Sequence, residues 1–249
     1  MKIGAQLWTV REFCTNLDDF AETLAKIADI GYETIQVSGT CKYTAEWLKG
    51  QLDKNGLTCV ITHTSPDELI HDTERVVRDH NIFGCDYVGL GFHPFKEEKT
   101  EEGYDYFINT YLPVAENIAK MGKYMMHHTH DQEFQRHGNK LIIEHLMEIF
   151  PAEWLGFTLD TFWVQAAGGD PAQWLERLAG RVPCIHLKDY SYGRKMEVIG
   201  EGNMNFERII EKAEEAGTKY MLVEQDDCNG EDPFECLRRS YNYLHSLGF

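Results

Sequence analysis

Residues 155–187 read LGFTLDTFWVQAAGGDPAQWLERLAGRVPCIHL, and this stretch decides the fold. Leu155–Leu159 is a short apolar run that stops on Asp160. A run of that length and composition reads as a strand covered on both faces. Pro171 then opens a helical segment reaching Leu178, since proline is tolerated in the first turn of a helix. Val182–Leu187 is a second apolar run, and it too ends among polar groups, His186 and Lys188. Two strands joined through a helix lie parallel, with a right-handed crossover.

The same unit recurs in both directions along the chain. Strands are predicted at Lys2–Trp8, Thr34–Val37, Thr58–Thr62, Tyr87–Gly91 and Lys123–His128 before it, and at Tyr220–Val223 after it. Between them lie amphipathic stretches. Leu17–Ile30 repeats apolar residues at Leu17, Phe20, Leu24, Ile27 and Ile30, with Asn16 as N-cap and Gly31 as stop. Further helices are expected at Thr44–Leu52, Pro66–His80 with Ser65 as cap, Gly103–Met121, Lys140–Phe150, Phe206–Ala216 and Pro233–Leu247. Eight such units fill the 249 residues with no segment left over. That pattern predicts an α/β protein built as a single (β/α)8 TIM barrel, one domain spanning 1–249. No G-x-G-x-x-G follows the first strand, which speaks against an open dinucleotide-binding sheet.

The totals narrow the function classes. A formal charge of −17 speaks against nucleic acid, which needs clustered Lys and Arg. The seven cysteines form no C-x-x-C pair, so no disulfide framework is implied. The sequence enters a strand at once, without a charged leader and apolar core, and has no apolar run long enough to span a membrane. The expectation is a cytoplasmic protein acting on a small molecule, without a nucleic-acid or membrane partner, and with a homo-oligomer open.

In a barrel of this kind the chemistry gathers at the C-terminal strand ends. Those ends carry Gln6 and Trp8, Gln36 and Ser38, His63, His93, then His127, His128, His130 and Glu133, then Asp160, Trp163 and Gln165, then His186 and Lys188, and finally Glu224, Gln225 and Asp226. A single histidine at a strand end is usually a structural hydrogen-bonding group. Here His128, Asp160, His186 and Glu224 come from four neighbouring strands and converge on one rim. Mixed imidazole and carboxylate donors suit Mn²⁺, Fe²⁺, Co²⁺ or Zn²⁺ better than Ca²⁺. One divalent ion is expected there, with Mn, Zn, Co and Mg as candidates.

These motifs resemble the xylose isomerase-like TIM-barrel family, which includes sugar phosphate isomerases and epimerases, inosose dehydratase and endonuclease IV. The resemblance runs along the whole chain. Its carriers are Gln6-Leu7-Trp8-Thr9, His128-Thr129-His130-Asp131-Gln132-Glu133-Phe134 and Leu159-Asp160-Thr161-Phe162-Trp163-Val164-Gln165. Ile185-His186-Leu187-Lys188-Asp189, Gly200-Glu201-Gly202 and Val223-Glu224-Gln225-Asp226 complete them. The family's metal is held by a Glu, an Asp, a His and a Glu after strands five to eight. Asp160, His186 and Glu224 match that pattern, and His128 stands where the first Glu belongs. The paired-carboxylate arrangement of the family's epimerases is therefore incomplete.

The resemblance implies an isomerase or epimerase that transfers a proton next to a carbonyl. For that chemistry His130 or Glu224 could serve as the base and Lys188 could neutralise an oxyanion, with substrate contacts expected from Gln6, Trp8, His63, His93, Trp163 and Gln165. The His128 departure supports a second reading, a lyase or dehydratase acting on a keto-sugar or keto-inositol. An AP endonuclease and a catalytically dead sugar-binding barrel are the remote alternatives. Several residues also admit plainer roles. Lys188 could pair with Asp189 or Glu201, Glu133 with Arg136 at the surface, and His127 could face the helices. The amides of Gly200 and Gly202 could receive a phosphate, although the few nearby cations favour an uncharged sugar.

Overall fold

The computed structural model describes residues 1–92 and 101–249. Eight parallel strands close on themselves: β1 Lys2–Gln6, β2 Thr34–Val37, β3 Thr58–Thr64, β4 Tyr87–Leu90, β5 Tyr124–His128, β6 Leu155–Asp160, β7 Cys184–Leu187 and β8 Tyr220–Val223. Each strand pairs with its neighbours in chain order, and β1 pairs with β8 through Ile3↔Met221 and Ala5↔Val223. The (β/α)8 expectation is met. Register places Asp160 beside His186 and aligns Leu222 with the same histidine, so the polar ends of β6, β7 and β8 arrive at one level.

The helical layer comprises α1 Leu17–Ile30, α2 Ala45–Asn55, α3 Pro66–His71, α4 Thr73–Phe83, α5 Glu101–Lys120, α6 Ile142–Ile149, α7 Thr161–Ala166, α8 Pro171–Arg177, α9 Phe206–Glu215 and α10 Pro233–Ser246. Local chemistry sets the ends. The Asn16 side chain accepts from the amides of Asp18 and Asp19, and the Asp170 side chain accepts from that of Ala172 with Pro171 in the first turn.

Three local expectations are corrected. The stretch 66–80 is two helices, because Asp72 leaves helical geometry at φ −143° while Arg75 bonds Glu68, Asp72 and Asp79 around the corner. Ser65 makes no capping hydrogen bond. The first strand stops at Gln6, whose side chain captures the Trp8 amide and starts the turn Leu7–Phe13. Helix α7 and the hairpins 136–141 and 189–197 were not expected. Each is too short to impose a period on the sequence.

The core has two layers. Val60, Ile61, Met126, Cys184 and Leu222 form one cluster, with Tyr87, Tyr124 and Tyr220 packed against it. A larger cluster of residues such as Phe20, Ile35, Phe107, Leu159 and Ile209 lies between strands and helices. Near the start of β6, the buried Arg181 guanidinium donates to the carbonyls of Met147, Phe150 and Leu155. All seven cysteines are free thiols. Among the described residues, no helix is long and apolar enough to cross a membrane.

Candidate functional site

Side chains alternate along a strand, so residues two apart face the same way. Three strand ends use this rule at the mouth: His128 with His130, His186 with Lys188, and Glu224 with Asp226. His128, Asp160, His186 and Glu224 are all buried, and one ligand atom from each lies within 4.8 Å of the others.

Each imidazole is aimed by its outer nitrogen. His128 Nδ1 donates to the Gly91 carbonyl at 3.0 Å, turning Nε2 toward Asp160 Oδ2 at 3.3 Å. His186 Nε2 donates to Gln36 Oε1 at 2.7 Å, turning Nδ1 toward Glu224 Oε2 at 2.9 Å. That last contact is an ion pair, and Glu224 Oε2 also lies 2.9 Å from Lys188 Nζ. Gln6 Nε2 donates to Glu224 Oε1 at 2.7 Å, and Gln6 Oε1 accepts the Trp8 amide. Asp160 divides its work: Oδ1 accepts the Trp163 amide as the cap of α7, and Oδ2 faces the cluster.

This donor set fits a divalent cation. Each imidazole has its outer nitrogen held by an acceptor oxygen, as metal-ligating histidines do. Burial, then the neighbouring His186, lowers the His128 pKa and favours its neutral form. With Nδ1 donating to Gly91, neutral His128 presents a lone pair to a carboxylate oxygen, an arrangement that calls for a cation between them. His186 Nδ1 and Glu224 Oε2 converge on the same space.

A cation of the chain's own already lies beside it. Lys188 Nζ is 3.0 Å from Asp160, 2.9 Å from Glu224 and 3.1 Å from Asp226. It pairs with neither Asp189 nor Glu201. Burial opposes the charge on Lys188, but these three carboxylates outweigh it and raise the pKa. Burial likewise disfavours the His186 imidazolium, yet Glu224 and then Asp160 hold its pKa at about 9. Asp226 is pushed up to about 6 by burial and by the Glu224 charge.

His130 stands at the edge of this cluster, its ring 4.5 Å from His128 and 5.4 Å from Trp163. Burial, followed by His128, lowers its pKa to about 4, and its Nδ1 is buried with no hydrogen-bond partner among the described residues. His63 also joins the cluster, 5.2 Å from His128 and 5.7 Å from His186, ring to ring. Gly91 makes that possible, since a Cβ there would meet the His63 ring at 2.4 Å.

The other predicted contacts scatter. Trp163 flanks His130 and lies 5.7 Å from Lys188 Nζ. Trp8 is 40% exposed and packs on Gly39 beneath Arg11, so one face is already covered. Gln165 lines an open pocket of about 490 Å³ with Tyr190, Tyr192 and Asn203, apart from the four-residue cluster. His93 lies outside the described residues. A larger cavity of about 660 Å³ opens over the loops after β2 and β3 and meets the histidine cluster through His63.

The plainer readings of Glu133 and of the Gly200 and Gly202 amides are corrected, and that of His127 is met. Glu133 is fully buried and makes no surface pair with Arg136; it accepts from the His130 amide at 2.7 Å and lies 3.2 Å from His127 Nε2. His127 packs toward α5 and β6, near Phe107 and Phe157, as alternation with His128 requires. The amides of Gly200 and Gly202 both donate to Asp189 Oδ2, so the protein's own carboxylate fills the place considered for a phosphate.

Sequence reasoning gave no role to Gln36, Asp226 or Thr161. The Thr161 hydroxyl accepts the Lys188 amide and donates to the Lys188 carbonyl, fixing that backbone from the first residue of α7. Glu224 and Asp226 share the two-residue spacing, which was the available signal. Nothing in the sequence pairs Gln36 with His186, 150 residues away.

A closed parallel barrel with imidazole and carboxylate donors gathered at its C-terminal mouth defines a class of (β/α)8 protein. Within that class the chain belongs to the xylose isomerase-like TIM barrel family, whose sequence model matches residues 24–244. Solved structures agree on the fold. A sugar phosphate isomerase/epimerase from Parabacteroides distasonis ATCC 8503 superposes with a TM-score of 0.82 at 22% identity, covering 99% of this chain and 94% of that one. An L-ribulose 3-epimerase gives 0.78 at 15% identity over 98% and 93%. A probable 3-DHS dehydratase from Bacillus anthracis gives 0.73 at 17% identity over 98% and 99%. No curated protein matches the sequence significantly.

Proposed function

We propose that the protein is a divalent-metal-dependent sugar isomerase or epimerase that moves a proton next to a carbonyl. The observation that carries this reading is the buried quartet His128, Asp160, His186 and Glu224, with one donor atom from each within 4.8 Å of the rest. These four residues would hold the ion, which supplies Lewis-acid polarisation of a substrate oxygen.

The chain's own groups do the remaining work. Burial keeps His130 neutral at pH 7, and its unpartnered Nδ1 is the group available to accept the carbon-bound proton. The Lys188 ammonium meets negative charge developing on the substrate oxygen. Trp163 offers an aromatic wall to the C–H face of a sugar ring. The Asp189 carboxylate on the Gly200–Gly202 amides favours an unphosphorylated sugar or keto-sugar.

One observation favours a second reading. His128 occupies the position on β5 where a symmetric epimerase needs a second carboxylate, and the two sides of the site then differ chemically. That asymmetry suits elimination from a keto-sugar by a lyase or dehydratase. Incubation of aldoses, ketoses and 3-keto-sugars with the Mn²⁺-loaded protein in D₂O tests both. Deuterium at the carbon next to the carbonyl, with the skeleton intact, supports isomerisation or epimerisation. Loss of water or of an aglycone supports elimination. No exchange and no product with any of them would leave a binding barrel.

A further inference from the structure

We infer that the Lys188 ammonium is a built-in counter-cation that holds the ligand carboxylates before a divalent ion arrives and withdraws to Asp226 when one enters. The inference rests on the metal reading above and concerns what the chain does before the ion is there.

Lys188 is 1% exposed, yet its ammonium touches three carboxylates. Two of them, Asp160 and Glu224, belong to the four-residue cluster, and the third, Asp226, does not. A divalent ion among the quartet would compete with the ammonium for Asp160 Oδ2 and Glu224 Oε2. In a buried site with little screening, the two cations cannot share those oxygens without strong repulsion.

The geometry supplies a way out. Nζ lies 3.2 Å and 3.1 Å from the two Asp226 oxygens, so one ion pair survives when the other two are given up. The Asp226 side chain is 27% exposed, against 0% and 4% for the Asp160 and Glu224 side chains, so the retreat leads outward. Thr161 grips both the amide and the carbonyl of Lys188, which confines the movement to the flexible four-carbon stem. The Trp163 ring lies 5.7 Å from Nζ and attracts a cation over its face. Lys188 therefore weakens metal binding and keeps the metal-free site from repelling itself apart.

The test titrates Mn²⁺, read by electron paramagnetic resonance, into chelator-treated wild type, Lys188→Met and Asp226→Asn, and records thermal unfolding of each metal-free protein. Lys188→Met should bind Mn²⁺ about 10-fold or more tightly than wild type, because a cation next to the ion is gone. Its metal-free form should unfold about 5 °C lower, and Mn²⁺ should restore the difference. Asp226→Asn keeps the ammonium and removes its retreat, so it should bind Mn²⁺ about 5-fold more weakly. The Asp226→Asn effect should shrink when Lys188 is already Met. Should Lys188→Met fail to fold without metal, Asp226→Asn and a Lys188→Gln variant carry the test.

Equal or weaker binding by a folded Lys188 variant would overturn the inference while leaving the metal site standing. An undiminished Asp226→Asn effect in the Lys188→Met background would overturn the withdrawal, since Asp226 would then act by its charge alone. If none of the proteins binds Mn²⁺ at millimolar concentration, the metal reading itself falls, and this inference falls with it.

Discussion

At the scale of single residues, the mouth of the barrel is a set of side chains each aimed by another. Asp160 has one oxygen on the Trp163 amide and the other among His128, His186 and Lys188. Asp160→Ala should abolish Mn²⁺ binding and turnover while the far-ultraviolet circular dichroism stays that of the folded barrel. Wild-type metal content in that variant would remove Asp160 from the ligand set. His130→Gln should bind Mn²⁺ normally and lose ~10²–10⁴-fold in turnover, because an amide cannot take the carbon proton. Loss of metal in the same variant would make His130 a ligand instead. Trp163→Ala should raise the Michaelis constant ~10-fold with little change in turnover, the signature of lost uniform binding. A constant within experimental error of wild type would reduce Trp163 to a packing residue. The four candidate ligands were readable in the sequence because each stands at the C-terminal end of an apolar run. Gln36 and Gln6 were harder to interpret. An amide at a strand end looks like a substrate contact until its partner, His186 or Glu224, is seen.

At the scale of elements, the segment after β5 owes its shape to one buried acid. Glu133 sits in the short turn Gln132–Phe134 and reaches back to the His130 amide and to His127. Burial alone would raise the Glu133 pKa; His127, His130 and the His130 amide outweigh it and lower it. Glu133→Ala leaves the buried His130 amide short of an acceptor and removes a buried contact of His127, and should cost about 3 kcal/mol in urea unfolding. Because the clamp aims His130, turnover should fall further in Glu133→Ala than in Glu133→Gln, which keeps an acceptor oxygen. Equal stability of Glu133→Ala and wild type would refute the clamp. This element was legible only in part. Its short span carries no period, and Glu133 three residues before Arg136 imitates an exposed ion pair. Burial, which decides between the two readings, comes from the surrounding fold rather than from the local sequence. The break at Asp72 escaped for the opposite reason, since the apolar spacing continues unchanged on both sides of it.

At the scale of the whole molecule, closure of the sheet fixes a buried titrating group between β3 and α4. His80 Nε2 bonds Thr62 Oγ1, and Nδ1 donates to the Val76 carbonyl. Burial lowers its pKa from the ordinary 6.5 to about 4. The unfolded chain takes up this proton below about pH 6.5, whereas the native protein takes it up only near 4. Stability should therefore be full above pH 6.5 and fall as the pH drops toward 4, by about 2 kcal/mol at pH 5 from His80 alone. Denaturant unfolding at pH 7 and pH 5 measures this, and His80→Gln should remove that part of the slope. An unchanged slope in the variant would mean His80 titrates alike in both states. The barrel as a whole was the most legible feature, because eight repeats of one pattern support each other where any single strand is ambiguous.

The Asp189 side chain has a consequence of another kind. It receives the amides of Tyr190, Gly200, Gly202 and Met204, a concave array of backbone donors of the sort that captures free anions. Because the carboxylate is covalently attached, it behaves as an intramolecular inhibitor with a very high effective concentration, against which dissolved phosphate at cellular levels competes poorly. The corner is a receptor that carries its own occupant. A single Asp189→Gly exchange vacates it, so sulfate or phosphate should stabilise that variant against heat while leaving the wild-type melting temperature unmoved.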